Sequence, residues 1–134
     1  MTALDPKSGT KNVLAINFGT YAASLDETDG STVDTKGFEY CAFYVVLGAL
    51  ADTATLTTVR IESSADGSTG WTAVTDPQIN DSTAAAWTVD TTADDDTVLA
   101  GQIRCFDHQR YLRFVATYGG SGNVDVGVLA VLHV

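Results

Sequence analysis

The residues of this sequence that could carry out chemistry are few. The chain of 134 residues has two histidines, His108 beside Asp107 and His133 next to the last residue. No serine lies in a Gly-x-Ser-x-Gly setting, and no cysteine is close to a histidine that has an obvious orienting group. Both histidines are therefore interpreted as surface or strand-end residues. The sequence predicts no catalytic residue and a protein that is not an enzyme.

Clusters of carboxylates and glycines give no clearer sign of a ligand. Residues 94–96 are consecutive aspartates, whose side chains alternate in direction along an extended chain, whereas a calcium loop spaces its oxygen ligands. A solvated acidic turn is the preferred interpretation. The glycines within 67–70 and 119–122 lie in predicted hairpins, not between a strand and a helix, so they do not indicate a phosphate loop. No cofactor and no metal site is predicted.

The two tryptophans are the most prominent aromatic residues. Trp71 and Trp87, with several tyrosines, could form a platform on which sugar rings stack. In a small β-sandwich such residues are more often core residues or anchors of an interface. We therefore treat both tryptophans as candidate interface residues and keep carbohydrate binding as the alternative.

Charge and the N-terminal sequence restrict the partners. The net charge is −10, from 17 acidic and 7 basic residues, and such a surface repels phosphate backbones and anionic lipid. Neither nucleic acid nor membrane is expected as a partner.

The first residues hold no apolar stretch flanked by basic residues, so no signal peptide is predicted. Cys41 and Cys105 are accordingly expected to be reduced thiols, buried in apolar strands.

The elements that would position these residues are predicted to be strands. In Val59–Val74, Val59, Ile61 and Ser63 alternate with Arg60, Glu62 and Ser64, as in a strand with one apolar and one charged face, and a Gly-rich turn follows. Leu14, Ile16 and Phe18 are predicted to share one face of a first strand. About eight such segments predict an all-β, antiparallel two-sheet sandwich over residues 12–134, with a jelly roll as first choice and an immunoglobulin-like sandwich second.

Two strands have more apolar residues than one core can bury. Phe38–Leu50 is apolar on both faces, and Val124–Val134 is apolar at nearly every residue. A copy of the same chain is the simplest partner for such faces, so a homo-oligomer is expected, with Phe43 and Tyr44 as candidate contacts. Residues 1–11, which include Lys7 and Lys11, lack periodicity and are interpreted as an extended arm that could contact a partner.

Three segments together resemble the capsid decoration, or cement, proteins of tailed bacteriophages. They are VDTKGFEY at 33–40 leading into FYVVLGA at 43–49, IESSADG at 61–67 with WTAV at 71–74, and RYLRFV at 110–115 followed by VGVLAVL at 126–132. Their order and spacing cover most of the chain beyond residue 30.

The resemblance implies a structural virion protein that binds the outside of an assembled capsid without catalysis. The implied partner is the major capsid protein, and the implied location is the capsid exterior, after synthesis in the host cytoplasm. Decoration proteins often occupy threefold positions, so the resemblance favours a trimer, while a dimer remains open. The alternative function is that of a carbohydrate-binding sandwich module of a phage tail or a bacterial surface protein.

Overall fold

The computed structural model describes residues 9–50, 53–74, 87–89 and 96–134. Within these ranges the chain forms nine β-strands and two 3-10 turns, the latter at Glu27–Asp29 and Cys105–Asp107. The strands are β1 (Thr10–Tyr21), β2 (Val33–Asp34), β3 (Tyr40–Leu50), β4 (Thr55–Ser64), β5 (Thr72–Ala73), β6 (Trp87–Val89), β7 (Val98–Arg104), β8 (Tyr111–Gly119) and β9 (Val124–His133).

The strands form two antiparallel sheets that pack face to face. The first sheet has the order β1-β9-β3-β7; the second has the order β2-β8-β4-β5, with β6 also paired to β4. Successive strands mostly alternate between the two sheets, and β9 returns to lie between β1 and β3. This is the strand order of a jelly roll. The all-β sandwich predicted from the sequence is confirmed.

The core lies between the sheets and consists of the inward residues of each strand. Alternate residues of β9 are at most 3% exposed: Val124, Val126, Val128, Ala130 and Leu132. In the second sheet Ile61 pairs with Phe114, and both are buried. Phe43 points into the same core from β3. The period of two in these strands therefore has the physical cause assigned to it, the burial of one face.

The first strand departs from the predicted alternation. Its register against β9 shifts between Leu14 and Ile16 and again between Ile16 and Gly19. Ala15 and Ile16 are both fully buried, whereas Leu14 is 37% and Phe18 56% exposed. The prediction that Leu14, Ile16 and Phe18 share one face is therefore wrong, because each bulge changes the direction of the side chains that follow it.

The end of the predicted arm also differs. Thr10 and Lys11 belong to β1 and pair with His133 and Leu132, so the sheet begins before residue 12. The two backbone partners make these residues part of the fold. The N–H of Val134 donates a hydrogen bond to the carbonyl of Gly9 (3.1 Å), which places the two ends of the described chain side by side. The rest of the predicted arm, residues 1–8 with Lys7, lies outside the described residues.

The polar segment of residues 24–37 also contributes a short strand. It contains β2, which pairs with β8 through Val33 and Leu112. A Cβ on Gly30 would overlap the backbone of Ala15, so this glycine allows the segment to pack directly against β1. A strand of two residues has too short a pattern for its period to be read from the sequence.

Both cysteines are free thiols in the core. Cys41 is 0% and Cys105 6% exposed. Burial raises the pKa of the Cys105 thiol to about 11 and raises that of Cys41 well above its usual range. The thiolate is the reactive form, so both groups are held in the unreactive form at neutral pH.

We expect both thiols to react slowly with an alkylating reagent at about pH 8 in the native protein, by at least about 100-fold relative to the protein in urea, because reaction requires the exposed thiolate. Mass spectrometry of the labelled chain measures this. Labelling of either cysteine at a rate within about tenfold of the unfolded rate would contradict the assignment.

Candidate interaction surfaces

The outer surfaces of the two sheets differ in chemistry. The first sheet carries an outer face of aliphatic and aromatic side chains on its four strands. We call it the apolar face; it comprises Leu14, Phe18, Ala42, Tyr44, Val46, Val98, Ala100, Leu129 and Val131. The second sheet carries charged residues that pair with each other. No described element covers the apolar face.

The middle of the apolar face is a row of side chains across all four strands. Leu14 pairs with Leu129, Leu129 with Tyr44, and Tyr44 with Ala100. Tyr44 is 37% exposed, as is Leu14, and Val98 nearer the end of the face is 57% exposed. Large exposed apolar groups that adjoin one another mark an interaction site in a soluble protein.

The two residues of β3 that were predicted as contacts, Phe43 and Tyr44, lie on opposite faces of the strand. Tyr44 lies in its middle row. Phe43 is 1% exposed and packs in the core, so it is not available to a partner. The prediction of Phe43 as a contact is wrong because successive residues of a strand point to opposite faces. Leu14, Phe18 and Leu129 were not predicted as contacts, although the alternation of β9 places Leu129 on the outer side.

Phe18 lies across Gly127 of the neighbouring strand. A Cβ at that glycine would overlap the Phe18 ring, so the missing side chain provides the space for it. Beside the ring is an apolar groove of about 400 Å³, floored by Val46 and Gly48 and bordered by Asp125. Thr20 donates a hydrogen bond to the Asp125 carboxylate (2.6 Å). The apolar face therefore ends in a carboxylate on this side.

The outer face of the second sheet is organised by four charged side chains, Glu27, Arg60, Glu62 and Arg113, which we call the ionic cluster. Glu62 accepts hydrogen bonds from Arg60 Nε (2.8 Å) and Arg113 Nε (2.9 Å) on its two oxygens. Arg113 also pairs with Glu27 (2.7 Å). The cluster has two positive and two negative charges, so it presents little net charge to a ligand.

Glu62 is the buried member of this cluster, with a side chain only 6% exposed. Burial by itself raises the pKa of this carboxyl group, but the hydrogen bonds and charges of Arg113 and Arg60 outweigh that effect and lower it. The sequence predicted a strand whose apolar face is buried and whose charged face, with Arg60, Glu62 and Ser64, is not. That prediction is wrong for Glu62 and Ser64, which are 5% and 0% exposed.

The remaining parts of the cluster come from loops. Asp26 accepts a hydrogen bond from the N–H of Thr28 and caps the 3-10 turn that carries Glu27. Trp71 lies against Arg113, whose guanidinium carbon is 4.5 Å from a centroid of its ring. The Trp71 Nε1 is buried and has no hydrogen-bond partner. One face of this ring is therefore already occupied by a side chain of the same protein.

The other predicted contact residues are not joined into one site. Lys11 is exposed on the edge strand β1. Trp87 pairs with Val59 through its backbone, and its side chain lies outside the described residues, as does Lys7. The predicted contact residues that the structure describes therefore lie on both sheets and in the core. The full predicted set is Lys7, Lys11, Phe43, Tyr44, Trp71 and Trp87.

The two histidines lie on different elements of the described chain. His133 pairs with Thr10 and Tyr40 across the first sheet, and His108 follows the second 3-10 turn. Among the described residues, no group of three or more His, Cys, Asp or Glu side chains could hold a metal ion. Asp94 and Asp95 lie outside those residues. No described helix is long and apolar enough to cross a membrane.

Comparison with known proteins adds no relative. No protein-family model, no curated protein and no solved structure matches this chain.

From the contacts of the ionic cluster we predict that the protein loses stability when Glu62 loses its charge. Replacing Glu62 by Gln removes the charge that holds two arginines, so we expect the free energy of unfolding at about pH 7 to fall by about 1–3 kcal/mol. The Asp34–Arg110 pair is the control, because its side chains are 39% and 44% exposed. The change Asp34→Asn should cost less than about 1 kcal/mol. Urea unfolding measures both.

The pH dependence has a defined sign. The folded-state pKa of Glu62 lies below its ordinary value, so its contribution is present above about pH 4.3 and is lost as the pH falls through the folded-state pKa. The difference in the free energy of unfolding between the wild-type protein and Glu62→Gln should therefore become smaller as the pH falls. A difference that stays constant down to about pH 2 would show that the charge of Glu62 is not responsible.

Proposed function

We propose that this protein is a structural virion protein that binds the outside of an assembled phage capsid and stabilises it. The observation that carries the proposal is the apolar face, on which Leu14, Phe18, Tyr44 and Val98 are 37–57% exposed. A protein of this kind works by contact. Its partners are the major capsid protein and further copies of this chain, its location is the capsid exterior, and it performs no catalysis.

The two unlike outer faces support this role. A cement protein must contact the shell and must also resist deformation when shell subunits move. The antiparallel sandwich is a stiff scaffold because side chains from both sheets interdigitate in one core. The apolar face and the ionic cluster are separate surfaces of this scaffold, so one can contact a neighbouring copy while the other remains exposed. The resemblance described above supplies the capsid as the partner.

Carbohydrate binding is the weaker alternative. A sugar-stacking platform needs an open aromatic ring. Trp71 has one ring face against Arg113, and the groove beside the ionic cluster is lined by residues whose charges already pair with one another. These contacts favour a structural role for Trp71.

We expect the protein to be present in purified phage particles in a fixed ratio to the major capsid protein, because a cement protein occupies repeated positions of the shell. Quantitative mass spectrometry of intact particles, with separated tails as the control fraction, measures that ratio. Particles made without the gene should lose their DNA at a lower temperature, and the purified protein added back should restore the original temperature. Enrichment in the tail fraction would refute the proposal and support the alternative.

A separate prediction concerns residues 1–8 of the N-terminal arm. Residues 1–8 contain Lys7, one of seven basic residues of an acidic chain, and lie before the first paired residue of β1. Deleting them leaves every described strand pair intact, so the unfolding temperature should stay within about 2 °C of that of the full chain. Binding to particles that lack the protein should weaken if the arm contacts the shell. Lys36→Ala, which removes one exposed lysine elsewhere, is the control. Equal binding by the shortened and full chains would exclude the arm from attachment.

A further inference from the structure

We propose that two copies of this chain pack through their apolar faces about a twofold axis that runs perpendicular to the strands. This inference specifies the contact between copies that the proposed function includes. It is tested on the isolated protein, so its failure would leave binding to the capsid open, and the failure of capsid binding would leave the dimer open.

The distribution of charge on the apolar face supports this orientation. At one end, a row across the strands joins His133 to Tyr40 and Tyr40 to Arg104, which is exposed. At the other end, Asp125 lies beside Gly48, whose carbonyl accepts a hydrogen bond from the N–H of Asp96. The first sheet therefore carries the guanidinium of Arg104 at one end and the carboxylates of Asp125 and Asp96 at the other, with the apolar face between them.

A twofold axis through the middle row brings these opposite ends together. Each strand then faces its own copy running in the opposite direction. Arg104 lies opposite the second copy's Asp96, and His133 lies opposite its Asp125. Tyr44 and Leu129 of the middle row meet the same residues of the second copy. An axis parallel to the strands would instead place the acidic ends against each other, which is unfavourable.

The size and shape of the face fit one further copy. Four strands about 4.8 Å apart and nine residues of about 3.4 Å rise cover about 590 Å² per copy, or about 1,200 Å² in total, which reaches the lower limit of specific interfaces. Two copies that pack through the same face are related by a twofold axis. Three copies around a threefold axis cannot each bury this same face against itself, so the contact predicts dimers.

Sedimentation equilibrium of the purified chain from about 1 to about 200 μM tests the proposal. We expect an average mass that rises toward twice that of the chain. Tyr44→Lys places two ammonium groups at the axis and should raise the dissociation constant at least about tenfold. Ala73→Lys adds the same charge on the exposed outer side of β5 and should leave it unchanged. Val98→Lys, at a residue 57% exposed on an edge strand, replaces Tyr44→Lys if that variant fails to fold.

A charge exchange tests the orientation. Arg104→Asp and Asp96→Lys should each weaken the dimer, and the double variant should restore at least part of the affinity, because the opposite charges meet again. Asp96 has a φ of 55°, so thermal unfolding of the Asp96→Lys monomer is measured alongside. A chain that stays monomeric at the highest concentration would overturn the proposal. So would a trimer, a dimer unaffected by the Lys substitution on the apolar face, or a double variant no tighter than the weaker single variant.

Discussion

The insertion of β9 between β1 and β3 is the pairing on which the first sheet depends. This strand follows the others in the chain but occupies an inner position, with β1 on one side and β3 on the other. Its inward residues fill the core, and its outward residues Leu129 and Val131 form part of the apolar face. Because its partners are more than 70 residues away in sequence, the sheet cannot be completed before most of the chain is ordered. Folding should therefore be slow and cooperative.

The second sheet depends on a different interaction, the pairing of charges around a buried carboxylate. A carboxylate in a buried position is costly unless opposite charges and hydrogen bonds surround it. Glu62 has this support from Arg60 on its own strand and Arg113 on β8, while Trp71 covers Arg113 from the turn that follows β4. The cluster therefore ties β4, β8 and two loops together on the outside of the sandwich. The charges of the cluster pair with one another within the protein. Of the two outer faces, the apolar face is therefore the one available for contact with a partner.

The sequence predicted the fold class because its long strands have a clear period of two, most visibly in β9 and β3. It could not predict that Glu62 is buried, since the arginine and glutamate that complete the cluster lie 51 and 35 residues away along the chain. The outward direction of Leu14 and Phe18 was missed because bulges change the phase of β1. The middle row of the apolar face depends on the register between four strands, which alternation within each strand does not determine. The proposed function rests on a resemblance and on this surface, and no motif in the chain identifies it.

The contact between Gly9 and Val134 has a consequence for engineering. Since these residues share a backbone hydrogen bond, the described chain begins and ends at neighbouring positions. In a variant that lacks residues 1–8, a short linker from Val134 to Gly9 would span the gap without disturbing β1 or β9. New termini could then be opened in the turn at residues 65–70, where Ser68, Thr69 and Gly70 are exposed. In such a circular permutant, a fused cargo would emerge beside β5 on the second sheet, away from the apolar face.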